Sequence, residues 1–415
     1  MAKLAQIRLA GTIAVTALCA AAANTAAAQD GPLVLNNQLQ LGDVVAGQTL
    51  NVVDVSGYAY VSNGAYGNTA DGGTDGAAMN VQSDQVARGR TAATTTMTLR
   101  GETSGPLIGI VQARGNNLAA TTEDAETTVT ARQEVSGDTY ARNDITDTQP
   151  HARLTAGAYV AVGSVGNNVS LNGKNAAIEG DIDQTVTGQV RAYNVATVQY
   201  APAATLFTSQ ATANAVQTAT NGVSNQNMTV RQRSNGTIVE AGVNPNTGNA
   251  WDLAGRASAS GNLVSLQNKG GAVIASTDQD NSAHIRGAAR VVAYDFGKVV
   301  TSARAAANEV SLVNDDFGGA IDNSQRNSGF VESTATFQGN KGYDTYVGAD
   351  AVGNMFNCVE CRGTANNTQT NSGNVSANTS TTITNSGRIV ISGANAVGNS
   401  ASFYVTGNGG GGGGN

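Results

Sequence analysis

Short runs of alternating apolar and polar residues, such as Thr185-Val186-Thr187, recur along the chain, and β-branched residues fill others, such as Ile389-Val390-Ile391-Ser392. Alternation with period two sends successive side chains to opposite faces of an extended backbone, so these runs predict β-strands and not helices. Between them lie glycine and asparagine pairs, among them Asn172-Gly173, Asn235-Gly236 and Gly318-Gly319. Such pairs are expected to supply the positive backbone angles of tight corners. Only five prolines interrupt the chain, which leaves long strand ladders feasible.

The strand pattern is itself repeated. A stretch of small residues ending in asparagine, usually as Gly-Asn, recurs at Asn68, Asn116, Asn167, Asn214, Asn262, Asn308, Asn354 and Asn399, with spacings of 48, 51, 47, 48, 46, 46 and 45 residues. A glutamine follows 17 residues later at Gln85, Gln133, Gln184, Gln279 and Gln325, while Gln232 follows at 18 and Gln369 at 15. Two markers that stay in step over seven copies define a true repeat. Each of the clearest copies carries Val-Ser-Leu after the asparagine, or close to it, then a turn cluster, a short apolar piece and the glutamine strand.

A unit of this length with several short strands cannot bury its own apolar stripe and must stack on its neighbours. The fold class expected is all-β, an elongated parallel β-solenoid of about eight repeats. With two coils of roughly 23 residues per repeat, about sixteen coils would make a rod on the order of 75 Å. Equivalent asparagines are expected to stack as amide ladders at the corners. A β-propeller is the rival architecture, but its blades usually need more aromatic and Leu content. In this register residues 29–50 form an N-terminal cap or lead-in strand, 51–407 the repeat domain and 408–415 a flexible glycine-rich tail.

Composition sharpens the picture. Aromatic residues are 5% and charged residues 13% of the 415-residue chain, whereas 51 Gly and 43 Asn together exceed a fifth of it. Large enzyme-like cores are disfavoured by so few aromatic side chains, and a net charge of −7 offers no basic stripe for nucleic acid. At the N-terminus Lys3 and Arg8 precede an apolar stretch, and Ala26-Ala27-Ala28 before Gln29 has the form accepted by signal peptidase. Residues 1–28 are read as a signal peptide cleaved between Ala28 and Gln29, in preference to a lipoprotein at Cys19, where Leu18 is too bulky. The mature chain then carries 21 basic and 30 acidic residues, a net charge of −9.

Candidate chemistry is sparse. His151 and His284 lie in no metal-binding spacing and beside no nucleophile motif, and no phosphate loop or nucleophile elbow occurs. No catalytic, metal or cofactor residue is assigned, and no cofactor is implied. Asp181-Ile182-Asp183, Asp278-Gln279-Asp280 and Asn314-Asp315-Asp316 are weighed as calcium ligands on corners against solvated turns, and the turns are preferred. Cys358 and Cys361 are a candidate structural disulfide in an oxidising exterior. Trp251, in a linker between the fourth and fifth copies, is expected to seal a gap rather than to read a sugar.

The alanine-rich leader, the Asn-x-Val-Ser-Leu copies, the segment Gly353-Asn-Met-Phe-Asn-Cys-Val-Glu-Cys361 and the ending Gly393-Ala-Asn-Ala-Val-Gly-Asn-Ser-Ala-Ser-Phe-Tyr-Val405 resemble the HfaD-type holdfast-anchor proteins of stalked alphaproteobacteria. That resemblance implies an outer-membrane-associated surface protein, exported with sister anchor subunits through a curli-type secretion pore, self-associating, and fastening an adhesive polysaccharide to the cell. It carries no catalytic residues. The curlin fibre subunits also combine Gln, Gly-Asn and small residues, but their unit is about half as long, and the flanking glutamines of their short form are not kept here. A polysaccharide-processing solenoid enzyme is the remaining alternative; repeats so even in length and so poor in Trp and Tyr do not suggest its long aromatic groove.

Overall fold

The computed structural model describes residues 31–147, 152–315 and 318–405. The expected signal segment with its Ala28/Gln29 junction, His151, Asp316 and the 408–415 tail lie outside the described residues.

Every named strand pairing is parallel, and each joins a strand to its counterpart one repeat away. The first coil has three sides, β1 (Leu33–Gln40), β2 (Val44–Val52) and β3 (Ala59–Asp75). Their counterparts in the second coil are Met79–Ala87, Thr91–Leu99 and Leu107–Glu123. First sides stack into an eight-stranded sheet, and second and third sides form one larger sheet. In the fifth and sixth coils the second and third sides run on as single 32-residue strands, Ile238–Lys269 and His284–Asp315. The chain is therefore a parallel β-solenoid.

Two expectations need correction. One repeat makes one coil, not two, because Asn68 stands against Asn116, 48 residues on, with no strand pairing inside the repeat to close a smaller coil. Eight wide coils at about 4.8 Å each stack to on the order of 35 to 40 Å, half the expected rod. Within residues 29–50, expected as a cap or lead-in strand, Leu33–Gln40 and the start of Val44–Val52 instead supply two sides of the first coil, in register with the second.

Each third side changes phase in the middle. In Leu107–Glu123 the inward residues are Leu107, Val111 and Ala113, then Asn116, Leu118 and Ala120. The residue that absorbs the shift stands just before the ladder asparagine: Gly67, Gly115, Gly166, Ala213, Gly261, Ala307, Gly353 and Gly398. A Cβ built on Gly166 would lie 2.6 Å from the Ala213 carbonyl oxygen, and one on Gly261 would lie 2.5 Å from that of Ala307. Only the smallest side chains fit there, which is the physical origin of the Gly-Asn motif.

Positive backbone angles do not fall at the three pairs named above, although Gly222 of the pair Asn221-Gly222 has one. Gly173 lies within a strand, and neither it nor Gly236 has a positive φ. At Gly236 the constraint is close stacking, since a Cβ would stand 2.2 Å from the Gly188 carbonyl oxygen of the coil before. Among the left-handed residues, Gly76, Asp124, Asn175, Gly222 and Gly270 fall one in each of five successive coils just past the third side, and Glu360 takes the same place in the seventh. There the chain turns from the third side into the next coil, and Gly, Asn or Asp tolerates that conformation best.

Candidate functional site

Inside the coils, two amide columns run the length of the solenoid. The Nδ2 of Asn68 donates to Asn116 Oδ1 at 2.8 Å, and the bond repeats through Asn167, Asn214, Asn262, Asn308, Asn354 and Asn399 at 2.7 to 2.9 Å. The glutamine column runs in the opposite sense: Gln85 donates to Gln38 at 2.8 Å, followed by Gln133, Gln184, Gln232, Gln279, Gln325 and Gln369, each donating to the coil before. Both columns are almost wholly buried in the middle coils.

The columns also brace each other. Asn116 donates its second amide hydrogen to the carbonyl of Glu134, just after the ladder glutamine, and Gln133 donates to the carbonyl of Asn168, just after the ladder asparagine. The same reciprocal bonds recur at Asn262 to Asp280 and Gln279 to Glu309. This crossed bracing accounts for the two sequence markers staying in step. A buried amide left without partners costs about 1 to 3 kcal/mol, so each rung is tied to both neighbours and to the facing strand.

Together the columns form a polar wall between two apolar compartments. The larger holds Leu107, Val111, Ile145 and Phe207; the smaller holds Leu118, Val129, Ile182 and Phe356. Sequence reasoning missed Gln38, which lies before the first recognised asparagine. Gln232 and Gln369 belong to the column despite their altered spacing, because the corner absorbs the difference. At Gln369 the corner is two residues shorter and is closed by the Cys358–Cys361 disulfide, with a Cα separation of 5.9 Å and Glu360 at φ 60°. A third column, Asn281 to Asn327 to Asn371, joins the later coils at the first corner and was not recognised in the sequence.

Both ends of the stack are open among the described residues. At one end β1, β2 and β3 pair only with the second coil, and the inward-facing Val34, in register with buried Val81, is 42% exposed. At the other, Thr364–Asn371, Val375–Ser386 and Ile389–Tyr404 pair only with the seventh coil, leaving Val390 and Phe403, in register with buried Thr345 and Cys358, half exposed. The amide columns end with matched polarity. Asn68 Oδ1 has no described donor and Gln38 has a spare amide hydrogen, while Asn399 Nδ2 has no acceptor and Gln369 Oε1 no donor among the described residues.

On the outer faces Asp181, Asp183 and Asp280, weighed for calcium on corners, sit within strands and meet arginines of adjacent coils, whereas Asp315 ends a third side. Arg231 lies 2.6 Å from Asp181 and 3.8 Å from Asp183, and Arg326 lies 2.5 Å from Asp280. Among the described residues no group of three or more His, Cys, Asp or Glu is arranged to hold a metal ion. A second cross-coil set alternates Arg191, Glu240, Arg286 and Glu332, with Arg286 2.9 Å from the buried Glu240. The Tyr193 hydroxyl bonds Glu240, and burial first, then that bond, pushes the phenol well above its ordinary range. His284 stacks on Phe330 at 5.0 Å and lies 3.5 Å from Glu332. These alternations of sign across parallel strands favour one register.

Trp251 does not seal a gap. It is 63% exposed at the rim of an outer groove where second sides meet third sides, and its ring meets Tyr343 edge-on at 6.1 Å. The Arg388 guanidinium lies over the Tyr343 ring at 5.5 Å and binds Asp344 at 2.5 Å, which holds that carboxyl below its ordinary range.

Comparison with curated proteins and with solved structures returns no match. A family model described as holdfast attachment protein D matches residues 53–330, about two-thirds of the chain, from the third side of the first coil to the first side of the seventh. On that match the chain belongs to the holdfast attachment protein D family.

Proposed function

We propose that the protein is an exported, cell-surface structural element that fastens the holdfast, an adhesive polysaccharide, to the outer membrane as a head-to-tail multimer. The observation that carries this reading, beyond family membership, is the pair of open ends with complementary amide columns. Stacking the eighth coil of one copy on the first coil of the next sets Asn399 Nδ2 toward the acceptor Asn68 Oδ1, and Gln38 Nε2 toward the acceptor Gln369 Oε1. Inverted stacking that superposes like columns sets donor against donor or acceptor against acceptor. The same head-to-tail contact buries apolar residues now exposed at both ends and pairs strand edges that otherwise invite association. Sister anchor subunits and a curli-type secretion pore belong to this proposal as the partners implied by the resemblance.

Lectin staining of the polysaccharide in a deletion strain tests it. Normal total synthesis with polymer shed into the medium is the expected result. Retention on cells at the wild-type level rejects the anchor and leaves the same ends to serve a fibre-forming adhesin subunit.

A further inference from the structure

We propose that the outer groove over the third to eighth coils is a binding site for a neutral, linear polysaccharide, with Trp251 and Tyr343 as the platforms on which sugar rings stack. This site deepens the anchoring role proposed above and rests on it.

The groove follows the solenoid axis. One part, about 970 Å³, is lined by hydrogen-bonding groups that include Gln199, Asn246, Asn249, Gln338 and Asn340. A second, about 470 Å³, shares Asn249 and Asp295 with it and is lined by Tyr200, Trp251, Phe296 and Tyr343. Apolar pyranose faces stack on aromatic rings while hydroxyls take amide and carboxylate partners, and this groove offers both along one line.

The platform is built, not incidental. Trp251, Gly297 and Tyr343 occupy equivalent places in three successive coils, flanked by the registered sets Ala250, Phe296, Gly342 and Asp252, Lys298, Asp344. A Cβ on Gly297 would stand 3.0 Å from the indole, so the missing side chain lets the two rings meet. Buried Phe296 supports the floor, edge-on to Phe337 at 5.0 Å. Keeping the chain's single tryptophan 63% exposed forgoes its burial, which argues for an occupant.

Charge selects that occupant. Asp252, Lys298 and Asp344 alternate in register, Arg388 pairs with Asp344, and Asp295 stands against Lys341. With Asp147, four acids stand against three bases, so the groove offers no net attraction to an anionic polymer. The coil spacing of about 4.8 Å is close to the length of one sugar unit in an extended chain, so a polymer along the axis meets one coil per ring.

The test uses the full chain. The deletion strain is complemented with wild type or with W251A/Y343A, and polymer retained on cells is scored. In parallel, emission from Trp251, the only indole, is followed in the purified mature protein as adhesive polysaccharide, hydroxyethyl cellulose or alginate is added. Expected are a saturable change in emission with the adhesive polysaccharide and little or none with alginate, affinity for the adhesive polysaccharide weakened at least tenfold in Y343A, and shedding by the double variant despite unchanged far-ultraviolet dichroism and surface level. Hydroxyethyl cellulose decides only how far recognition extends to a plain glucan: a response adds support, and none narrows the site to the native polymer. Wild-type retention by the double variant overturns the groove and leaves the anchor intact. An unchanged emission with the adhesive polysaccharide overturns it equally, and a stronger response to alginate overturns the neutral occupant. Failure of the deletion strain itself to shed strikes the anchoring role instead.

Discussion

The amides are the residues on which the interior depends. Asn262 accepts from Asn214 and donates to Asn308 and to the Asp280 carbonyl, all at 2.8 to 3.0 Å. Asn262→Asp keeps the shape and the acceptor but removes both donors and buries a charge. We expect it to cost about 3 kcal/mol or more at neutral pH by urea unfolding. Burial raises the folded-state pKa of that carboxyl above the unfolded value of about 3.9, so the charge penalty is absent below that pH and grows as pH rises toward the folded value. Stability that is insensitive to pH in this variant would contradict the buried ladder. The partly buried Asp344 behaves oppositely: the hydrogen bond from Arg388 lowers its pKa, so its contribution is present above the ordinary carboxylate range and fades as pH falls through the lowered folded value. Asp344→Asn should therefore flatten the acid limb of stability against pH and change little at neutrality. The Asn and Gln columns were legible because regular spacing records them in the sequence. Their position inside the coil was not, since an asparagine at an exposed corner and one in a buried wall leave the same periodic trace.

At the scale of the element, the deciding feature is the phase change in each third side. The position before the ladder asparagine holds only Gly or Ala, because the next coil's carbonyl stands 2.4 to 2.7 Å from a built Cβ at Gly67, Gly115, Gly166, Gly261 and Gly353. Gly166→Val should destabilise by about 1 to 3 kcal/mol or more through overpacking, whereas Ala307→Gly should cost about 1 kcal/mol or less. Equal effects in thermal unfolding would count against this account of the Gly-Asn motif. Strand patterning and the parallel class were readable from alternation and repeat length. Coil size was not, because period-two runs show where strands lie but not how many sides close a coil. Trp251 was misjudged for a related reason: its exposure depends on Gly297 and Tyr343 in two later coils, which no local window relates to it.

For the whole molecule, the account is of a short solenoid whose two ends, among the described residues, are open and mutually complementary. The variant Gln38→Glu/Asn399→Asp keeps the acceptors used by Gln85 and Asn354 but turns the terminal donors at both ends into charged acceptors. Asn399 is exposed in the single copy, so its change costs little there and much in a stacked joint, where carboxylates would face Gln369 and Asn68 oxygens without a donor. Sedimentation should show wild type forming elongated multimers that grow in steps of one copy and the variant remaining a folded monomer. The most direct test of the central claim is the fraction of adhesive polysaccharide kept on deletion cells that carry this end-blocked variant, compared with cells carrying wild type at equal surface level. The account predicts polymer shed into the medium by the variant and held by wild type. Retention at the wild-type level by a chain that is monomeric in solution would contradict anchoring through stacked ends.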